Sequence, residues 1–165
     1  YYLARMIEGG EDVKFIARRL LISASEDIGN ANPTALVLAT STFQAVERIG
    51  MPESRILLSQ CVVYLASSAK SNASYMAINA AQSLVQETGD LPVPLHLRNA
   101  PTSLMSKLGY GEGYAYDHDA PQGHSNQECM PEGLEGRRIY EPGNNSREQS
   151  MRTHLKSLWK DKYGY

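Results

Sequence analysis

The amino-acid sequence predicts an all-α protein, in which a bundle of helices precedes an extended segment and a terminal helix. Three observations predict this fold. Apolar residues recur at helical spacing through residues 1–90, prolines and glycines interrupt residues 91–145, and helical spacing returns over residues 146–165. With 165 residues, of which 42% are hydrophobic and 21% charged, the chain has the composition of a soluble globular domain that needs no disulfides to fold.

Two helices are predicted before residue 30. The first ends at Gly9-Gly10, because glycine commonly stops a helix. The second begins near Glu11-Asp12, whose acidic side chains suit a helix N-terminus, and it ends at Gly29. Its apolar residues recur every three or four positions, at Val13, Ile16, Ala17, Leu20, Leu21, Ala24 and Ile28.

A third helix is predicted between Asn32 and Gly50. Asn32 is a favourable N-cap residue. Pro33 suits the first helical position, because the N–H that proline lacks would have no partner there. The residues expected to face inward are Leu36, Ala39, Phe43 and Val46.

The fourth and fifth helices, predicted over residues 54–69 and 72–88, differ from the first three in composition. The fourth is apolar on nearly every side between Ile56 and Leu65, so we expect it to be covered by its own domain or by other subunits. Its Val62-Val63 pair would also suit a strand, but the run is too long for one and ends in alanine and serine. The fifth is rich in alanine, so we expect it to pack closely against another helix.

After residue 90 the amino-acid composition of the sequence changes. Residues 91–145 contain prolines and glycines at short intervals, and only residues 102–108 suit a short helix. We expect the rest to form an extended wrap that packs on the helical core of residues 1–90 through its tyrosines. The terminal basic amphipathic helix of residues 146–165 opens with a capping-box pair, Ser146 and Gln149. Its apolar stripe is Met151, Leu155, Leu158 and Trp159.

Hydropathy, cysteine content and charge exclude several classes of protein. No apolar run approaches the roughly 18 residues of a membrane span, and no signal peptide is visible at the start. Cys61 and Cys129 do not make a disulfide framework, which fits a reducing cytoplasm. The net charge of −2 argues against nucleic-acid binding by the whole surface. Since there is no initiator methionine and the first residues already suit a helix, we expect a piece of a longer protein.

Three groups of residues are candidates for a nucleotide loop, a metal site and a reactive thiol. The glycines at 109, 111 and 113 lack the strand, helix and Lys-Ser/Thr pair of a nucleotide loop, so they predict a turn. Residues 117–129 contain ligand types that zinc accepts, without the regular spacing of zinc sites, and leave a small metal-dependent hydrolase as an alternative. Cys61 lies in the most apolar helix, where a thiol is usually inert packing.

The charged residues suggest a second alternative, a direct DNA-binding module. Phosphate contacts need basic side chains on one face, and residues 137–165 carry seven basic and three acidic residues. The predicted DNA contacts are Arg18, Arg19, Lys156 and Lys160. Glu26-Asp27 lies near a helix C-terminus, which is unfavourable for anions, so we expect capping or pairing with Arg18, Arg19 or the next helix.

Several strings in the sequence resemble one known family. They lie at residues 17–36, 50–66, 70–75, 93–98, 108–111 and 131–136, and together they extend over essentially the whole chain. They resemble the C-terminal region of the replication-associated recombination protein A family, the bacterial MgsA/RarA AAA+ ATPases, which are related to the eukaryotic Werner-helicase-interacting ATPase. The sequence departs from the family between residues 117 and 130, where apolar anchors are missing.

The resemblance implies a clamp-loader-like helical collar that holds the parent protein as a homotetramer and performs no catalysis itself. ATP and Mg²⁺ would be bound by an upstream AAA+ ATPase module, since this sequence has no Gly-x-x-x-x-Gly-Lys-Ser/Thr. The parent would act on single-stranded or forked DNA during replication, repair and recombination. Its partner would be single-stranded-DNA-binding protein, and its location the cytoplasm at the nucleoid, away from membranes.

The implied tetramer and the apolar fourth and fifth helices together predict where subunits meet. A helix that is apolar all round must be covered on most sides, by its own domain or by other subunits, and small residues allow close helix packing. The predicted interface residues are Leu57, Cys61, Val63, Tyr64, Ala77 and Ala81.

Overall fold

The computed structural model describes residues 1–165 apart from the side chain of Gln122. It confirms the all-α prediction, because this described chain forms seven α-helices and no β-strand. The helices are α1 (Tyr2–Glu8), α2 (Val13–Ser23), α3 (Thr34–Ile49), α4 (Ser54–Ser67), α5 (Ala73–Thr88), α6 (Ser103–Lys107) and α7 (Ser146–Trp159). Short 3₁₀ turns lie at Gly29–Ala31, Leu95–Leu97, Asp117–Asp119 and Pro121–Gly123.

The chain divides into two compact units. Unit 1 comprises residues 1–78 and 140–151, and unit 2 comprises residues 79–139 and 152–165. The boundaries fall inside α5 and α7, instead of near residues 90 and 145, where the sequence composition changes. Each of these two helices therefore contributes its first part to unit 1 and the remainder to unit 2.

Unit 1 is built around α2, α3 and α4, which pack on one another, while α1 packs against α4. One apolar cluster joins Ala24, Ile28, Ala35, Ala39, Cys61 and Leu65. A second joins Ile16, Ala17, Val46 and Leu58. The many alanines let the helix axes approach closely, and the apolar periodicity of the three helices explains which side of each is buried.

The second helix does not continue regularly to Gly29 as predicted. Its last turn, Ala24–Ile28, is a π-helix, called the π segment below. A π turn holds one more residue than an α turn. Ala24 and Ile28, at its two ends, are buried, and the three residues between them are exposed. The backbone N–H of Ser71, just before α5, donates to the carbonyl of Asp27 at 2.8 Å.

The prediction that Asn32 caps α3 is wrong. No side-chain cap is made at the start of α3, and the Asn32 amide instead donates to Tyr64 Oη at 3.0 Å and to Ser68 Oγ at 3.1 Å. The Asn32 carbonyl still accepts from the backbone N–H of Ala35. Its side chain therefore fastens the start of α3 to α4 within unit 1.

The capping box of α7 is displaced by one residue from the predicted pair. Asn145, not Ser146, accepts from the backbone N–H of Glu148 at 3.0 Å, and its amide donates to the Glu148 carboxylate. The Gln149 side chain donates to the Gly143 carbonyl at 3.1 Å. Asparagine is as good an N-cap as serine, so propensity could not decide between the two registers.

Unit 2 has little regular structure outside α6 and its parts of α5 and α7. Thr102 caps α6, accepting from the backbone N–H of Met105 at 3.3 Å. Of the four tyrosines expected to anchor the segment, Tyr114 and Tyr116 are more than half exposed. Tyr110 is half-buried and accepts from the Arg98 guanidinium at 3.2 Å, and Tyr140 is half-buried in unit 1. In the described part of the chain, no helix is long and apolar enough to cross a membrane.

Candidate assembly surface

Helix α4 turns only part of its apolar surface toward the core. Leu58 and Cys61 are fully buried in unit 1, whereas Ile56 is 57% and Val63 64% exposed. Burial raises the pKa of the Cys61 thiol, against a smaller lowering by a hydrogen bond from Thr42. Cys61 is therefore inert packing with no surface to offer a second subunit, while Val63 lies on the outside.

The other predicted interface residues lie between these extremes. Leu57 and Ala77 in unit 1 and Ala81 in unit 2 are half-buried. Tyr64 is half-buried too, and its hydroxyl is engaged by Asn32. Of the six predicted residues, Val63 is the one that presents a large exposed apolar side chain.

The start of α5 presents further apolar side chains that the sequence interpretation did not select. Tyr75, Met76 and Ile78 are 46%, 54% and 54% exposed. Tyr75 and Ile78 line a cleft of about 460 Å³ within unit 1. The other residues of this cleft are Leu21, Ile22, Ser25, Glu26 and Ser74. The sequence interpretation of α5 rested on its alanines and did not include these larger side chains, although a helical wheel places them outside the alanine face.

The π segment borders this cleft and a second one. Ser25 and Glu26 line the first, and Asp27 lines a cleft of about 600 Å³ with Lys70 and Asn72. Asp27 accepts from Ser23 Oγ at 2.6 Å, so a hydroxyl of its own helix satisfies the carboxylate that was expected to pair with arginine. Lys70 is held at the end of α4, where its ammonium group donates to the carbonyls of Leu65 and Ser68.

A buried carboxylate holds the start of α7 in unit 1. Glu148 is completely buried and accepts from Tyr140 Oη at 2.7 Å and from the side chains of Asn145 and Ser71. Burial raises the pKa of this carboxyl, but the hydrogen bonds from Ser71, Tyr140, Asn145 and the Gly143 backbone lower it further, so its pKa falls below the usual value. Sequence reasoning missed this centre, although an asparagine three residues before Glu148 was its signal.

A second carboxylate organises unit 2. Glu128 accepts from the backbone N–H of Met130 at 2.9 Å and from Tyr163 Oη at 2.9 Å, and lies 3.5 Å from the Lys162 ammonium. Burial raises the pKa of Glu128, but these groups and the Gly136 N–H outweigh it and lower the pKa to about 2. Burial and the same hydrogen bond raise the pKa of Tyr163.

The predicted DNA contacts are all exposed, but they belong to different units. Arg18 and Arg19 lie on α2 in unit 1, and Lys156 and Lys160 lie at the end of α7 in unit 2. The Arg18 guanidinium carbon is 5.3 Å from the centre of the Phe15 ring. The four residues thus form two separate basic pairs.

The two loops that carry the candidate nucleotide and metal residues make other contacts in the part of the chain that the structure describes. The glycine-containing turn at residues 109–113 follows α6 rather than a strand, and leads into extended chain. Among the residues that the structure describes, no group of three or more His, Cys, Asp or Glu side chains is placed to hold a metal ion. Asp117, in the loop considered for zinc, instead accepts from the Ser125 hydroxyl at 2.6 Å.

A family model and the sequences of known proteins relate this chain to the same group of proteins. The family model for the C terminus of MgsA AAA+ ATPases matches residues 1–159. The Replication-associated recombination protein A of Coxiella burnetii is 49% identical over 156 residues, which cover 94% of this chain and 36% of that protein. Its Escherichia coli K12 counterpart is 42% identical over 149 residues, covering 90% and 33%. The ATPase WRNIP1 of Dictyostelium discoideum is 40% identical over 157 residues, covering 92% and 18%. The chain thus spans about a third or less of these relatives.

Proposed function

The chain belongs to the MgsA AAA+ ATPase C-terminal family, and from that premise we propose that it joins the subunits of a AAA+ ATPase into a homotetramer. Two of the relatives are named for replication-associated recombination, and we place the parent ATPase in that process. From the resemblance of the sequence we further propose that the parent acts in replication, recombination and repair on single-stranded or forked DNA, with single-stranded-DNA-binding protein as its partner. ATP and Mg²⁺ are bound by another part of the parent, and this chain performs no catalysis.

The observation that carries the proposal is the exposed apolar surface of α4 and of the start of α5 in unit 1. Ile56 and Val63 on α4, and Met76 and Ile78 on α5, are each more than half exposed. Ile56 and Val63 are seven residues apart and so share one face of α4. Ile78 lines the apolar cleft with Leu21 and Tyr75. Exposed apolar side chains that share a face are typical of protein–protein interfaces. Unit 1 already has a complete core of its own, so these side chains are not needed to fold it.

Light scattering coupled to size exclusion tests the proposal directly. One chain has a mass of 18.2 kDa, so we expect a species of about four times this mass at moderate salt. Val63→Glu should reduce that mass, because the charge would be buried at a subunit contact. A wild-type chain that stays monomeric at high protein concentration would contradict the proposal.

The exposed basic pairs support a second candidate function, direct contact with DNA. Arg18 and Arg19 in unit 1, and Lys156 and Lys160 in unit 2, are exposed. Fluorescence anisotropy with a labelled single strand separates this function from scaffolding, because affinity due to phosphate contacts falls steeply as salt rises. Absent or salt-insensitive binding would contradict direct contact.

A further inference from the structure

We propose that two copies of the chain pair through α2 and the π segment, antiparallel about a two-fold axis beside Ile22. Arg18 of each copy then faces Glu26 of the other, and the apolar cleft at Ile22 is covered by the second copy. This inference rests on the proposed homotetramer and specifies one of its contacts.

The residues that make the contact lie along one line of the helix. Arg18, Ile22 and Glu26 follow one another at intervals of four residues, so they share a face. All three are exposed, whereas Ala17 and Ala24, on the other side of the helix, are buried. Ile22 and Glu26 line the same cleft, which confirms that the π segment keeps Glu26 on the face of Ile22.

When a two-fold axis relates two copies of the chain, the charges on this line in one copy are complementary to those in the other. In an antiparallel pair centred on Ile22, a residue that precedes Ile22 in one copy faces the residue that follows Ile22 by the same number of positions in the other copy. Arg18, four residues before Ile22, therefore meets Glu26, four residues after it. A parallel pair would instead set arginine against arginine and glutamate against glutamate, which opposes association. The sequence of charges thus selects the antiparallel arrangement.

Neither charge has a strong partner within its own chain. Arg18 contacts the Phe15 ring, and in the described part of the chain no ion pair is recorded for Arg18 or Glu26. The two residues are eight positions apart on one helix, which is about 12 Å, too far for a salt bridge within a copy. A second copy brings the opposite charges together without a new conformation.

The centre of the contact is apolar, as an interface core should be. Ile22 is 38% exposed and Ile78 54% exposed, and both line the cleft of about 460 Å³ together with Leu21 and Tyr75. The charged residues lie at its rim. An apolar centre with a polar rim is the usual anatomy of a protein–protein interface.

Charge reversal tests the pairing. We expect Arg18→Glu and Glu26→Arg each to raise the dissociation constant about tenfold or more, since like charges then face each other. The double variant Arg18→Glu/Glu26→Arg should restore assembly. Mass would be followed by light scattering over a dilution series, with circular dichroism to check folding. A multimer unaffected by either single change, or a double variant no better than the singles, would overturn the inference. A monomeric wild type would instead refute the homotetramer itself.

A cysteine cross-link locates the axis. In a Cys129→Ser background, Ile22→Cys places one thiol per copy at the centre, and we expect mild oxidation with copper phenanthroline to give a disulfide-linked dimer on a non-reducing gel. Gln44→Cys is the matched control, since Gln44 is exposed on α3 of unit 1 and lies outside both proposed contacts. Equal yields of dimer from the Gln44 and Ile22 variants, or no dimer from either, would overturn the inference.

Discussion

The interior of unit 1 and the interior of unit 2 are stabilised by different kinds of interaction. Of the twelve buried hydrophobic residues in the described chain, eleven lie in unit 1 and one, Leu84, lies in unit 2. Unit 2 instead has Glu128 accepting several hydrogen bonds, and ring contacts of Trp159 with His124 and Tyr163. Apolar burial does not depend on pH, whereas the contribution of a hydrogen-bonded carboxylate does. Acid should therefore weaken unit 2 more than unit 1, where apolar burial adds to the contribution of Glu148.

The largest expected effect comes from the core of unit 1. Leu58 is fully buried between α2, α3 and α4, so Leu58→Ala should lower the free energy of unfolding by about 3 kcal/mol through lost burial and a cavity. Urea unfolding followed by circular dichroism measures this. Ser59→Ala, at an exposed position of the same helix, is the control and should change stability by less than about 0.5 kcal/mol. Equal losses would contradict the description of α4 as one-sided.

A smaller effect is expected at the polar centre of unit 1. A Cβ added at Gly143 would lie 2.6 Å from the Glu148 carboxylate, so Gly143→Ala should destabilise the fold by about 1–3 kcal/mol. The same unfolding experiment applies. If the clash with Glu148 is the cause, Gly143→Ala should cost little more once Glu148→Ala is present, so a double-mutant cycle decides it. If the losses in unfolding free energy of the two variants are additive, the effect of Gly143→Ala comes from the backbone and not from a clash with Glu148.

The last expected effect, which is absent at neutral pH, is the acid response that distinguishes the units. The pKa of Glu128 is lowered from 4.5 to about 2, so its contribution to stability is complete above pH 4.5 and is lost as pH falls toward 2. Trp159, the only tryptophan, lies against Tyr163 and reports on this change by fluorescence. Glu128→Gln should flatten the response between these pH values. Glu148→Gln is the control in unit 1, and an unchanged Trp159 profile is expected for it.

Sequence patterns predicted unit 1 well because its helices bury one face each. Spacing alone identified α2 to α5 and most of their ends, and six strings resembling a known family identified the relationship. Spacing could not predict the division of α5 and α7 between units, since it reports which face is buried and not by what. It also gave no means to separate the covered Cys61 from the uncovered Val63, because both belong to one continuous apolar run.

The polar centres were missed for a different reason. Glu148 and Glu128 are held by partners that are distant in sequence, such as Ser71 for the first and Tyr163 for the second. Neither contact leaves a periodic trace. The candidate surface was therefore found in part, through Val63, whereas Ile22 and the cleft around it required the structure.

The π segment lets α2 change its length by one residue without changing its orientation in unit 1. Successive residues of an α-helix are turned by about 100° around its axis, so a deletion in the regular part of α2 would rotate everything before it by about that angle. A deletion between Ala24 and Ile28 that closes the π turn to an α turn would instead keep Ile16 and Ile22 close to their present orientation relative to Gly29 and α3, because a π turn holds one more residue than an α turn. Among homologous chains, a one-residue difference in the length of α2 should consequently fall in this five-residue stretch.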